Sequence, residues 1–240
     1  MEPWGTSHLV VLAVFVVGLP TAWLLGRAER RRGDRRWSRA LAVAIPVVHV
    51  PTQVHDVAFH FELGVSLPVN LSDLAWVAAA VALWTHHRYA VALTYFWGLV
   101  LTTQSVLTPS LGEAFPDVRF FAYWFIHLVV VWAAVFLVWG ARVRPRWEDY
   151  RSTVAVTLAW AAAAYGFNAV AGTNYGYLQR KPTGGSALDL LGPWPWYVVA
   201  SVVVLATVWA LMTWPWERVR AQEEPATADP ATGRPSVGAG

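Results

Sequence analysis

Residues 8–26 read HLVVLAVFVVGLPTAWLLG, and residues 27–39 that follow read RAERRRGDRRWSR. At ~1.5 Å per residue the first stretch makes a helix ~28 Å long, close to the ~30 Å of a bilayer's hydrocarbon core. The second is an arginine run that is too costly to follow it into lipid. Together they read as a membrane span with a strongly basic end. The residues before the span, MEPWGTS, carry no basic group. A secretory signal has the opposite order, a basic start followed by a shorter apolar run. The stretch is therefore expected to be a retained span.

The same reading extends along the chain. Spans are expected at about 8–26, 41–60, 68–86, 89–108, 118–139, 153–172 and 195–214. The predicted fold class is all-α: a polytopic membrane protein whose single domain, residues 1–216, is a seven-transmembrane-helix bundle. Residues 217–240 lack any apolar period and are rich in Pro, Ala, Gly and Thr, which predicts a disordered cytoplasmic tail. Composition agrees, with 56% hydrophobic and 14% charged residues, against about 25% charged in soluble domains. The 16 tryptophans suit membrane interfaces, where an apolar ring and a wet N–H are both accommodated.

Orientation follows from the basic residues. Arg27, Arg30, Arg31, Arg32, Arg35, Arg36, Arg39, Arg88, Arg142, Arg144, Arg146, Arg151, Arg218, Arg220 and Arg234 fall on one side, and Arg119, Arg180 and Lys181 on the other. Loops rich in Lys and Arg stay in the cytoplasm. The N-terminus is thus expected outside and the C-terminus in the cytoplasm, in a multi-pass protein of the cell membrane. The expected partner is the lipid bilayer, with anionic headgroups at the Arg-rich first loop, and no nucleic acid. No internal repeat marks two inverted halves of the kind many secondary transporters have.

An ionisable group at the centre of a spanning helix costs roughly 2.5–3.5 kcal/mol on insertion scales, so polar residues within spans mark candidate sites. The second span carries His49, Gln53, Asp56 and His60 along one helical stripe, with His55 beside them. Pro46 and Pro51 kink the same helix and free carbonyls that need partners. The third span opens LPVNLSD (67–73), where Asn70 and Asp73 share a face and Ser72 points elsewhere. An Asp at this point also suits a helix N-terminus. In the fourth span the hydroxyls of Thr102, Thr103, Ser105 and Thr108 read as packing groups. Gln104 differs, because an amide needs several hydrogen-bond partners. His127, within WFIHLVVVW (124–132), lies ~13–14 Å into its span, near mid-bilayer. Asn168, Asn174 and Tyr175 follow at the end of the sixth span. With the expected sidedness these groups converge in the outer half above His127, as the lining of a polar cavity.

The strings LPVNLSDLA (67–75), YFWGLVLTTQSVLTPSLGEAFPD (95–117), FIHL (125–128), NAVAGTNYGYLQRKP (168–182) and SALDLLGPWPWY (186–197) make the chain resemble the YwaF-like bacterial integral membrane proteins. These are distantly related to the eukaryotic transmembrane protein 164 family. The resemblance covers roughly residues 49–200. It implies a relation to phospholipid acyltransferases that use a Cys and a His. His127 matches the family's intramembrane His. In the family's L-P-x-H-L-C pattern the His position is Asn70 here and the Cys position is Ser72. The chain has no cysteine, so thiol acyl transfer is excluded, and a serine would need an activating base beside it.

The leading expectation is therefore action on lipid acyl groups, as an acyltransferase or hydrolase. His127 would be the base, a Ser or Thr hydroxyl, Ser72 among them, the nucleophile, and Asn70, Gln104 or Asn174 the oxyanion donor. His49, Gln53, Asp56, His60, Asp73, Gln104, Asn168, Asn174 and Tyr175 would line the substrate cavity. The alternatives are a small-molecule or proton-coupled transporter, with Asp56, Asp73 and the histidines along its path, and a non-catalytic membrane scaffold or sensor. His55, Asp56, His60 and His127 offer metal-ligand atoms, but no helical H-E-x-x-H pattern is present. No metal and no cofactor is assigned.

Overall fold

A computed structural model describes residues 4–109, 111–112, 114–182 and 186–227. The described residues form helices and no strand. The principal helices are α1 (Thr6–Arg32), α2 (Arg36–Phe59), α3 (Leu71–Thr85), α4 (Arg88–Leu107), α5 (Val118–Gly140), α6 (Trp147–Ala171) and α7 (Trp196–Thr227). Two short 3-10 turns, Tyr175–Tyr177 and Ala187–Leu191, lie between α6 and α7. Six of the seven helices are long and apolar enough to cross a membrane, and α3 is shorter.

The brevity of α3 has a local cause. Asn70 accepts from the Asp73 backbone N–H, and the Asp73 carboxylate accepts from the Asn70 N–H at 2.9 Å. This reciprocal capping box starts the helix at Leu71 and not at 68. The resulting 15 residues span about 22 Å. At the other end of the chain, α7 continues to Thr227, past residue 217 where the tail was expected to begin. Residues 228–240 lie outside the described residues.

Contacts at the helix ends fix an up-and-down arrangement. At one end Arg30 Nε donates to the Gly140 carbonyl, Arg35 donates to Thr85, Arg88 pairs with Asp149, and Arg144 pairs with Glu223. At the other end His8 meets the Val106 carbonyl, Arg119 pairs with Asp56, and Trp160 donates to Val69. The arginine-rich turns thus share one end of the bundle. Within that end Glu29, 2% exposed, accepts from the backbone N–H groups of Trp37 and Ser38 and from the Ser38 hydroxyl. A carboxylate from α1 thereby satisfies the first free donors of α2.

Helices α4 and α5 form the centre. Their most apolar windows are 56% and 67% buried within the protein, against 11% for α1, α2 and α6. The outer helices show Val17, Val54, Val156 and Val170 to their surroundings, which fits lipid contact and not water. Small side chains let α3 approach closely: Ala75, Ala78, Ala79 and Ala82 are buried where it packs against α2 and α4.

Both central helices contain a π-helical turn, Trp97–Thr102 in α4 and Phe136–Gly140 in α5. The second coincides with the crossing of α1, where Gly26 and Gly140 bring two backbones together. A Cβ on Gly26 would lie 2.4 Å from the Phe136 carbonyl oxygen, and one on Gly140 would lie 2.8 Å from the Gly26 Cα. Farther along, Gly18 makes room for Trp132, whose Nε1 donates to the Phe15 carbonyl at 3.1 Å.

Candidate functional site

His127 sits on α5 and is 8% exposed. Its Nδ1 lies 2.7 Å from the Tyr123 carbonyl, one helical turn earlier. A carbonyl only accepts, so Nδ1 carries a proton, and in the neutral ring Nε2 keeps its lone pair. The Tyr123 ring packs over the imidazole with centroids 4.1 Å apart, and its hydroxyl donates to the Ser105 carbonyl of α4. Helix α2 brings His49 within electrostatic reach of His127. Both His49 ring nitrogens are buried with no hydrogen-bond partner, and the ring packs against Trp76 of α3, whose Nε1 is also buried without one. An unpaired buried polar group costs roughly 1–3 kcal/mol. Helices α2 and α3 therefore place buried unsatisfied polar atoms side by side, a pattern that calls for an explanation.

Other expected site residues are committed to structural bonds. Asn70 and Asp73 form the cap of α3. Gln53 Nε2 donates to the Ser66 carbonyl at 2.8 Å. Asn168, fully buried, accepts from the Tyr175 N–H and the Thr173 hydroxyl and donates to the Tyr175 carbonyl. That clamp aims Tyr175 across the bundle end, where its hydroxyl donates to Leu63 at 2.7 Å and accepts from the Leu67 N–H at 3.2 Å. Asn174 closes the following turn by accepting from Gln179 and Arg180 and donating to the Arg180 carbonyl. Tyr175 thus latches the α6–α7 connection onto the α2–α3 connection.

Ser72 and Gln104 are exposed and are not brought to His127. No Ser or Thr hydroxyl lies within hydrogen-bond distance of His127 among the described residues. Asp56 pairs with Arg119 at 2.9 Å. His55, Asp56 and His60 each place one possible ligand atom within 4.8 Å of the others, but Arg119 already sets a positive charge against that cluster.

A family model, the TMEM164 family, matches residues 3–213. The chain belongs to the TMEM164 family. No curated protein and no solved structure matches it significantly. As a TMEM164-family chain it is a multi-pass membrane protein, and the match takes in all the elements that hold His49, Trp76, His127 and the tyrosine latch.

Within this TMEM164-family chain, sequence reasoning missed Trp76, Tyr123 and Ser66. The first two were within reach of a periodicity argument: Trp76 lies three residues beyond Asp73, and Tyr123 four before His127, each on the same helical face. Ser66 sits in a connection with no period to read. The latch carries a stability prediction. Tyr175→Phe leaves the Leu63 carbonyl and Leu67 N–H without their partner and is expected to cost about 1–3 kcal/mol, read as a lower melting temperature of the purified protein in detergent.

Proposed function

We propose that this chain acts on phospholipid acyl esters in the outer half of the cell membrane, with His127 as general base and a lipid or water hydroxyl as the attacking group. The observation that carries the reading is His127 Nε2, without a hydrogen-bond partner among the described residues while Nδ1 donates to the Tyr123 carbonyl, in a lipid-embedded bundle that also holds the buried, unpartnered His49–Trp76 pair. The absence of cysteine and, among the described residues, of a Ser or Thr hydroxyl within hydrogen-bond distance of His127 favours direct attack over an acyl-enzyme. Nε2 takes the proton of the attacking hydroxyl as its oxygen bonds to the ester carbonyl carbon. The tetrahedral intermediate then collapses, the original ester C–O bond breaks, and the departing oxygen takes the proton back from the imidazolium. The neighbouring N–H groups of His49 and Trp76 are suited to stabilise the oxyanion. The transport reading loses its carboxylates, since Asp56 is paired with Arg119 and Asp73 is spent on a cap.

The same proposal includes sidedness. Helix α3 is the seventh membrane-embedded helix, the N-terminus lies outside, and the arginine-rich end faces the cytoplasm, following the positive-inside rule. The test is product analysis in proteoliposomes that contain a phospholipid donor and an isotopically labelled lysophospholipid acceptor. Labelled diacyl lipid, or released fatty acid when the acceptor is omitted, is expected. Neither product from folded protein would reject the reading.

A further inference from the structure

At the arginine-rich end, the α5–α6 connection, the start of α4 and the last part of α7 surround a cavity of about 610 Å³. Its walls carry Arg88, Arg142, Arg144, Arg146 and Arg220, together with the carboxylates of Asp149 and Glu223. Both carboxylates are occupied. Asp149 takes Arg88 Nε at 2.8 Å on one oxygen and the Arg146 backbone N–H at 2.9 Å on the other. Glu223 pairs with Arg144 at 3.2 Å. Arg220 donates to the Arg144 and Pro145 carbonyls and pairs with Glu217. The Arg142 and Arg146 guanidinium groups have no carboxylate within 4.0 Å among the described residues. Arg30 lies close enough to Arg27, Arg31, Arg142 and Arg144 for its charge to be repelled by theirs.

The backbone adds a second observation. Arg142 follows the last turn of α5 with φ +62°, the left-handed conformation that helix ends normally give to glycine. An arginine held there, at a cost in strain, lines the cavity. Strained backbone of this kind persists where its surroundings enforce it, often at binding sites. Trp147, Trp214 and Trp216 sit around the same end, with Arg144 over Trp216 and Arg218 over Trp214. Such rings mark the height of the headgroups.

We propose that this cavity is a phosphate site, with Arg142 and Arg146 as its principal ligands, that takes the phosphate of an anionic phospholipid headgroup. Guanidinium suits the task through its planar fork of donors and weak hydration. The inference is independent of the acyl chemistry at His127, which lies about four helical turns away along α5.

The test uses the full chain in nanodiscs. Thermal unfolding is followed in phosphatidylcholine alone, in phosphatidylcholine with phosphatidylglycerol, and in phosphatidylcholine with inorganic phosphate. Arg142→Gly suits the local backbone, so it is expected to melt no lower than wild type in neutral lipid. The wild type should be stabilised by phosphatidylglycerol, and Arg142→Gly and Arg146→Ala should each weaken that binding by about tenfold or more, the usual scale for a lost charge-assisted bond. An equal shift with inorganic phosphate would assign the site to a free anion, with the same ligands. No anion-dependent shift in wild type, or a full shift in the Arg142→Gly/Arg146→Ala double variant, would overturn the proposal.

Discussion

Replacing His127 by Ala is expected to lower acyl-product formation by about 10²–10⁴-fold, the usual contribution of a positioned general base. The fold should survive, because among the described residues the one polar bond removed is that to the Tyr123 carbonyl within the same helix. His127→Gln keeps a donor for that carbonyl and removes the base, so it should be as inactive as Ala while melting closer to wild type. Ser72→Ala should retain wild-type activity, since Ser72 is exposed and apart from His127. The readout is initial rate in proteoliposomes, normalised to folded protein. Loss of activity in Ser72→Ala with retention in His127→Gln would reverse the assignment.

The second large effect concerns stability. Gly26→Val places its Cβ 2.4 Å from the Phe136 carbonyl oxygen and 3.0 Å from the Gly140 Cα. Neither atom can rotate away, as a flexible side chain could, so α1 must separate from the π-helical end of α5. Overpacking commonly costs 1–3 kcal/mol, and a clash with backbone should reach at least about 3 kcal/mol. The separation also weakens the Arg30–Gly140 bond. Gly166→Ala is the control: a Cβ there meets nothing within 4 Å, so its melting temperature should match or exceed wild type. Equal melting of Gly26→Val and Gly166→Ala would show that α1 is not seated as described.

The helices were legible because length, hydropathy and arginine placement act over one segment at a time. Six expected spans correspond to helices of sufficient length, and the arginine turns do meet at one end. The start of α3 was misplaced because the 68–86 reading followed hydropathy, whereas the Asn70–Asp73 box decided where the helix begins. The same residues illustrate the limit for the site. A helical period says that Asn70 and Asp73 share a face, and that Ser72 does not, but not that the pair bonds to itself. Likewise, a stripe of His49, Gln53, Asp56 and His60 on α2 does not reveal which neighbour each will meet. The structure packs His49 against Trp76 and turns Gln53 towards Ser66 and Asp56 towards Arg119. Those choices are tertiary and join residues far apart in the chain. Tyr175 is the extreme case, because its hydroxyl partners lie more than a hundred residues away.

The central claim is that a phospholipid ester reaches the His49–Trp76–His127 cluster. It is tested most directly by photo-crosslinking with a phospholipid that carries a diazirine on the acyl chain close to the ester, followed by peptide mapping. Adducts on the α2 and α5 peptides that contain His49 and His127, competed by unmodified phospholipid, are the expected result. Adducts confined to outward-facing positions such as Val17 and Val170, with none near the cluster, would contradict the account.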